Sequence, residues 1–173
     1  MSNYKSLLRN IKAFAFDVDG VLTDGGVISM PDGDLLRTHY ARDGYAIRMA
    51  VEHGYPVAII TGGVSPAVAL RYKNIGVKDI YSGARDKLPF FMDFCHKYGL
   101  EPSQVAYAGD DIPDIPPMEA CGLPFCPSDA AMEVRKISHY ISPFPGGRGC
   151  VRDLIEQVMR LKGQWYDSTV ISE

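Results

Sequence analysis

Long apolar runs are missing from this chain of 173 residues, and so is any large excess of one charge. No uninterrupted apolar stretch approaches the length that a bilayer-spanning helix needs, so no membrane partner is expected. The formal net charge is −3, which gives a nucleic acid no bulk electrostatic attraction, and none is expected as a partner. Cysteine is sparse: Cys95, Cys121, Cys126 and Cys150 form no Cys-x-x-Cys pair. That supply suits neither a disulfide framework nor a zinc ribbon, and buried free thiols in a reducing cytoplasm are expected. The opening residues carry Lys5 and Arg9 around no apolar centre, unlike a secretory signal. His39, His53, His96 and His139 show no metal-ligand spacing, so packing or surface roles are expected of them. Repeats and low-complexity segments are also lacking.

What is present is ordinary for a globular protein: 46% hydrophobic and 23% charged residues. The length fits a single domain over 1–173 with a sizeable core. Residues 1 to 12 read as a polar lead-in. Strands are expected at Ala13 to Val18, Pro56 to Ile60, Asp79 to Tyr81, Val105 to Ala108, Leu123 to Cys126 and His139 to Ile141. Val27 to Met30 and Leu35 to Tyr40, joined by Pro31-Asp32-Gly33-Asp34, suggest a hairpin. Helices are expected at Asp43 to His53 with Asp43 as its cap, after Ser65-Pro66, at Lys87 to Tyr98, around Pro117 to Ala120, at Ala130 to Lys136 and at Cys150 to Leu161. Gly54, Gly76 and Gly99 stop three of them. The tail 162–173 has no clear period, and Trp165 is its one candidate anchor. Strands alternating with helices predict an α/β fold: a parallel sheet with helices on both faces.

In such a sheet, ligands bind beyond the carboxyl ends of the strands. The polar residues that stand out fall at that edge. Asp17 and Asp19 follow the first strand, Thr61-Gly62-Gly63 follows the second, Lys87 comes soon after the third, and Asp110, Asp111 and Asp114 follow the Val105 strand. Two carboxylates one residue apart at a strand end repel each other and lose solvation, which makes sense if a cation and an electrophile sit between them. Taken singly, each piece could be a turn, a cap or a solvated lysine. It is their alignment at one edge that points to chemistry.

Asp17-Val18-Asp19-Gly20-Val21-Leu22-Thr23-Asp24, Ile60-Thr61-Gly62-Gly63, Asp86-Lys87-Leu88 and Gly109-Asp110-Asp111-Ile112-Pro113-Asp114 resemble, in order, the four motifs of the haloacid dehalogenase superfamily. Arg42-Asp43-Gly44-Tyr45-Ala46-Ile47-Arg48, Met118 and Gly146-Gly147-Arg148-Gly149-Cys150-Val151-Arg152 make the chain most similar to its 3-deoxy-D-manno-octulosonate 8-phosphate phosphatases. The resemblance runs from about Ile11 to Leu161. It implies a three-layer α/β/α Rossmann-like core and a phosphomonoesterase of lipopolysaccharide precursor synthesis. It further implies Asp17 as nucleophile and Asp19 as general acid and base. Mg²⁺ would be held by Asp17, Asp110 and the Asp19 carbonyl. Thr61 and backbone N–H groups near Gly62 would bind the phosphoryl oxygens, Lys87 would balance charge, and Asp111 and Asp114 would support them. Tyr40, Ala41, Arg42, Asp43, Gly44, Arg48 and Arg71 would line a sugar-acid pocket together with Asp19, Thr61, Gly62 and Lys87.

The segment Gly25 to Tyr40 has room for a hairpin but not for a cap domain. Its apolar Val27, Ile28, Met30, Leu35 and Leu36 would be a liability if exposed in a monomer. The resemblance implies a homotetramer in which hairpins associate and a neighbour closes the site; the alternative is a hairpin folded back on its own domain. Arg148 and Arg152 could also reach a site. The family's second motif commonly runs Thr-Gly-Arg, and Gly63 departs from it. An eight-carbon sugar acid phosphate is the first expectation and a nine-carbon one the alternative. A receiver-like signalling domain would not need Asp19, since it protonates no sugar leaving group. A non-catalytic assembly domain would not need the complete acidic set.

Overall fold

A computed structural model describes residues 4–31 and 33–166. Helix α1, Tyr4–Leu8, precedes strand β1, Ala13–Phe16. An irregular helical turn, Val18–Leu22, leads to a short antiparallel pair, β2 (Ile28–Ser29) and β3 (Leu35–Leu36). Then come α2 (Ala41–Glu52), β4 (Val57–Thr61), α3 (Pro66–Asn74), β5 (Asp79–Ser82) and α4 (Leu88–Lys97). The chain continues through β6 (Val105–Ala108), α5 (Ile115–Ala120), β7 (Leu123–Cys126), α6 (Met132–Ile137), β8 (Tyr140–Ile141) and α7 (Cys150–Leu161). The main sheet runs β5-β4-β1-β6-β7-β8 with every pairing parallel, so the expected α/β class holds.

The period of two in a strand explains the layers. Phe14 and Phe16 of β1, Val57 and Ile59 of β4, and Leu123 and Phe125 of β7 pack on one face with α2 and α7. Ala13 and Ala15, Ala58 and Ile60, and Val105 and Tyr107 pack on the other with α4, α5 and α6. Both faces of β1 and β6 are covered, which is why these strands read as unbroken apolar runs. Phe14 sits in register between Val57 and Ala106, so a large ring lies beside a small side chain.

The signals at helix ends were legible where the chemistry is local. Ser65 caps α3 by accepting from the Val68 N–H, with Pro66 in the first turn, and Gly76 follows the helix at φ 94°. Asp43 is different. It lies inside α2, whose N-cap is Tyr40, and its carboxylate instead accepts from the backbone N–H groups of Gly149 (3.1 Å) and Arg152 (2.8 Å). It therefore caps α7, a long-range role that its place in the sequence does not reveal. The lead-in is also more than polar chain: α1 forms there, and Leu8 and Ile11 are buried in the core.

Trp165 is buried in the same core, and the Gln164 side chain accepts from the Tyr55 hydroxyl, so the tail is anchored as far as described. Its remainder, 167–173, lies outside the described residues. The hairpin strands are shorter than expected because the ladder stops at Leu36, where the Arg37 side chain turns to Asp19. All four cysteines are free. Among the described residues no helix is long and apolar enough to cross a membrane.

Candidate active site

Asp17 stands at the sheet edge because its N–H donates to the Ala108 carbonyl, continuing the β1–β6 ladder one step beyond Phe16. The chain then kinks. Asp19 is extended (ψ 119°) and Gly20 is left-handed (φ 88°). A Cβ on Gly20 would sit 2.0 Å from Oδ2 of Asp110, so only glycine lets the first acidic loop pass this close to the second. The buried Thr23 hydroxyl donates to the Val18 carbonyl at 3.3 Å and ties the kink shut. The glycine-rich segment braces it from outside. The Gly147 N–H donates to the Val21 carbonyl, and a Cβ on Gly146 would lie 1.9 Å from the Gly20 oxygen.

Lys87 is 4% exposed, with Nζ 2.9 Å from Oδ1 of Asp17 and 2.7 Å from Oδ1 of Asp114. Burial works against its charge, but the two aspartates outweigh burial and raise its pKa. Asp114 also accepts from the Tyr107 hydroxyl and from the N–H groups of Asp110 and Asp111. Asp114 is thus a junction that fixes the lysine and the second acidic loop together. Thr61 ends β4; its carbonyl accepts from the Ala84 N–H, and its hydroxyl accepts from the Gly63 N–H at 3.3 Å.

Asp17, Asp110 and Asp114 each offer a carboxylate oxygen within 4.8 Å of the others. Burial, then Asp114, pushes Asp17 up to about 7, with Lys87 partly offsetting them. Burial, then Asp17 and Asp114, pushes Asp110 up to about 8. Negative charge is held at high cost here, which is the environment a cation relieves. Because Asp114 is already occupied as an acceptor, Asp17 and Asp110 are the pair left to face a metal. Hard oxygen donors suit Mg²⁺.

These groups open onto a cavity of about 540 Å³. Asp17, Asp19, Thr61, Gly62, Lys87 and Asp110 line it, and Asp111 and Asp114 lie on the same wall. The structure also brings in two residues that the sequence did not single out. Arg85 lines the cavity as an exposed cation. Arg37 grips Asp19 with a two-pronged ion pair, Nε to Oδ1 at 2.6 Å and Nη2 to Oδ2 at 3.0 Å, and its side chain is only 6% exposed. No motif marks either residue; the only sequence signal for Arg37 is a cation closing an apolar hairpin strand.

Of the expected sugar-acid residues, Asp19, Thr61, Gly62 and Lys87 line this cavity, and the other seven do not. Tyr40 and Arg42 line a second cavity of about 320 Å³, together with Arg148 and Arg152. Arg48 pairs with Glu52 on an exposed helix face. Ala41 is exposed and Asp43 is committed to α7. Arg71 packs against Gly44, where a Cβ would lie 3.2 Å from Nη2, and its buried Nε has no hydrogen-bond partner among the described residues. Within one chain, then, the catalytic and metal candidates converge, and these seven do not join them.

No family model matches the chain. It is 37% identical over 155 residues to the 3-deoxy-D-manno-octulosonate 8-phosphate phosphatase of Escherichia coli strain K12, an alignment covering 90% of this chain and 82% of that one. Among solved structures, it superposes with a TM-score of 0.91 on the Moraxella catarrhalis 3-deoxy-D-manno-octulosonate 8-phosphate phosphatase in complex with magnesium, phosphate and KDO, at 33% identity and 95% coverage of both chains. The cobalt-bound Haemophilus influenzae phosphatase gives a TM-score of 0.89 at 31% identity, with 96% of each chain covered.

Proposed function

Since the chain belongs to the 3-deoxy-D-manno-octulosonate 8-phosphate phosphatases of the haloacid dehalogenase superfamily, we propose that it hydrolyses this phosphorylated sugar acid to the free acid and phosphate in a Mg²⁺-dependent reaction. The observation that carries the reading is the buried Asp17 carboxylate, set between Lys87 and Asp110 on a cavity wall that Asp19 shares.

Phosphate monoester hydrolysis is among the slowest uncatalysed biological reactions, so the site must bring two anions together and protonate a poor leaving group. When held by Asp17, Asp110 and the Asp19 carbonyl, Mg²⁺ supplies the positive charge that makes this approach possible. Asp17 attacks phosphorus, the bond to the sugar oxygen breaks, and an aspartyl-phosphate forms. Asp19, which must give up its ion pair with Arg37 to carry a proton, delivers that proton to the departing oxygen, then takes one from the water that attacks the phosphoryl group and frees Asp17. Thr61 and the N–H groups after it hold the phosphoryl oxygens. Lys87, fixed by Asp114, balances their growing charge. Asp19 is what a receiver-like domain would lack.

Around this centre we read a single-domain cytoplasmic enzyme that assembles as a homotetramer. The support is the hairpin, where Val27, Ile28 and Leu36 are 46, 65 and 46% exposed rather than folded back on the domain. A neighbour seated there would close the site.

The test is phosphate release with Mg²⁺ over phosphorylated sugar acids of eight and nine carbons and simple sugar phosphates. Preference for the eight-carbon substrate is expected. Asp17→Asn should lower turnover by on the order of 10⁴ or more with the fold intact. Unchanged turnover in that variant would remove the mechanism. Equal weak activity on every phosphate would remove the sugar-acid assignment alone.

A further inference from the structure

A sugar acid phosphate is anionic at both ends, and the groups described so far address its phosphoryl end. Asp17, where phosphorus must arrive, is buried, and so is Lys87 beside it. The phosphoryl group therefore lies at the floor of the cavity. An extended substrate seated there leaves its carboxylate near the mouth.

Charge on the cavity wall is lopsided. Asp17, Asp19, Asp110, Asp111 and Asp114 all line it, and among the described residues Lys87 and Arg85 are the only cations that do. Lys87 is committed to Asp17 and Asp114. Arg37, outside this lining, is committed to both oxygens of Asp19 and to the Leu35 carbonyl. Position 63, an arginine in the motif that this segment resembles, is glycine. Arg85 differs from all of these. It is exposed, and among the described residues its side chain has no ion pair or hydrogen bond. A carboxylate entering beside five aspartates is repelled unless a cation meets it, and the planar guanidinium fork matches a carboxylate with two donors.

The backbone fixes where this cation stands. The Gly83 N–H donates to the Gly63 carbonyl at 3.1 Å, and the Ala84 N–H to the Thr61 carbonyl at 2.9 Å. The loop after β5 is thus laced to the loop after β4, with Ala84 buried between them. The Arg85 N–H then closes a tight turn onto the Gly83 carbonyl at 3.0 Å. Two residues span at most about 7 Å of chain, so Arg85 and Lys87 are rooted side by side. One side chain is buried at the floor and the other stays at the mouth.

We propose that Arg85 is a specificity-determining residue of this site: from the cavity mouth it binds the carboxylate of a substrate whose phosphoryl group sits at Asp17. This inference rests on the sugar-acid reading above. It concerns ground-state recognition, so its effect falls on KM more than on kcat.

Steady-state kinetics of the Mg²⁺-loaded full chain would test it on two substrates: the eight-carbon sugar acid phosphate, and an alditol phosphate of similar length without a carboxylate. The free sugar acid and inorganic phosphate serve as inhibitors, one for each end of the substrate. Arg85→Ala should raise KM for the acid by about 5- to 20-fold, between the worth of an exposed ion pair and that of a hydrogen bond to a charged group. Inhibition by the free sugar acid should weaken by a similar factor. KM for the alditol phosphate and inhibition by phosphate should stay put. Arg85→Lys, which keeps the charge without the fork, should fall between.

Three outcomes overturn the proposal. Equal weakening of both substrates and of phosphate would place the contact on the phosphoryl group. Loss of kcat on both substrates with KM unchanged would make Arg85 only a positioning residue for the loop that carries Lys87. Full selectivity in the alanine variant, with undiminished inhibition by the free acid, would leave Arg85 a solvated surface cation. The wild-type comparison stands apart: if native enzyme does not prefer the acid, the sugar-acid reading itself fails, and this proposal with it.

Discussion

Asp17 and Asp110 hold their charges in one another's field and out of water, and this sets a pH dependence that a metal should reverse. With folded-state values of about 7 and about 8, both lie well above the ordinary Asp value of about 3.9. Between about pH 4 and 8 the folded chain therefore binds more protons than the unfolded one, and stability falls as pH rises through that window. Mg²⁺ binds the ionised pair and opposes the loss. Thermal unfolding without metal should show Tm decreasing from pH 5 to pH 8, and saturating Mg²⁺ should raise Tm more at pH 8 than at pH 5. An equal gain at both would mean that the cation does not sit on these carboxylates. That these two residues meet was legible, because each follows a buried strand of one parallel sheet and such strands end at one edge. Arg37 and Arg85 were not. They sit on connections, and which way a connection's side chains turn depends on the neighbours that the sheet brings in.

The same contrast holds for elements. Val105 to Ala108 and Leu123 to Cys126 could be read to the residue, because short apolar runs between turn residues have few alternatives. Helix α7 could also be bounded from sequence, but what holds its first turn could not. Its N-cap is Gly149, which has no side chain to satisfy the free N–H groups. Asp43 supplies both bonds from α2, more than a hundred positions earlier, and its own pKa is raised because burial outweighs them. An acidic residue near a helix start looks like that helix's own cap, so its true partner is invisible without the packing of α2 on α7. Asp43→Ala should cost about 1–2 kcal/mol, in the range of a lost cap, measured by urea unfolding at neutral pH. Asp43→Asn keeps the acceptor and should cost less. A substitution to Ala with no effect on the unfolding midpoint would show that solvent satisfies the two N–H groups equally well.

On the scale of the whole molecule, the layered sheet follows from the alternation of strands and helices, whereas what covers the hairpin does not follow from one chain's pattern. The hairpin makes the case concrete. Among the described residues its two-residue strands pair only with each other, and Ile28 and Leu36, opposite one another in register, point apolar surface at solvent. A two-stranded ribbon is marginal in isolation and needs a hydrophobic face covered to be stable. At one end, the Arg37–Asp19 pair ties the ribbon to the active site, so whatever covers the ribbon also bears on the cavity. If hairpins associate as proposed, Ile28→Lys combined with Leu36→Glu should shift the protein from tetramer to monomer in sedimentation velocity. The two charges lie directly opposite and suit each other within one hairpin, while both are unsuited to a buried contact between hairpins. Because the replaced side chains bury little in their own chain, the far-UV spectrum should stay native. On the proposed assembly, KM for the sugar acid phosphate should rise, since a neighbour that closes the site would be gone. A wild-type chain that sediments as a monomer at assay concentration with full activity would end the assembly reading. It would also mean that the exposed hairpin serves only to carry Arg37 to its place.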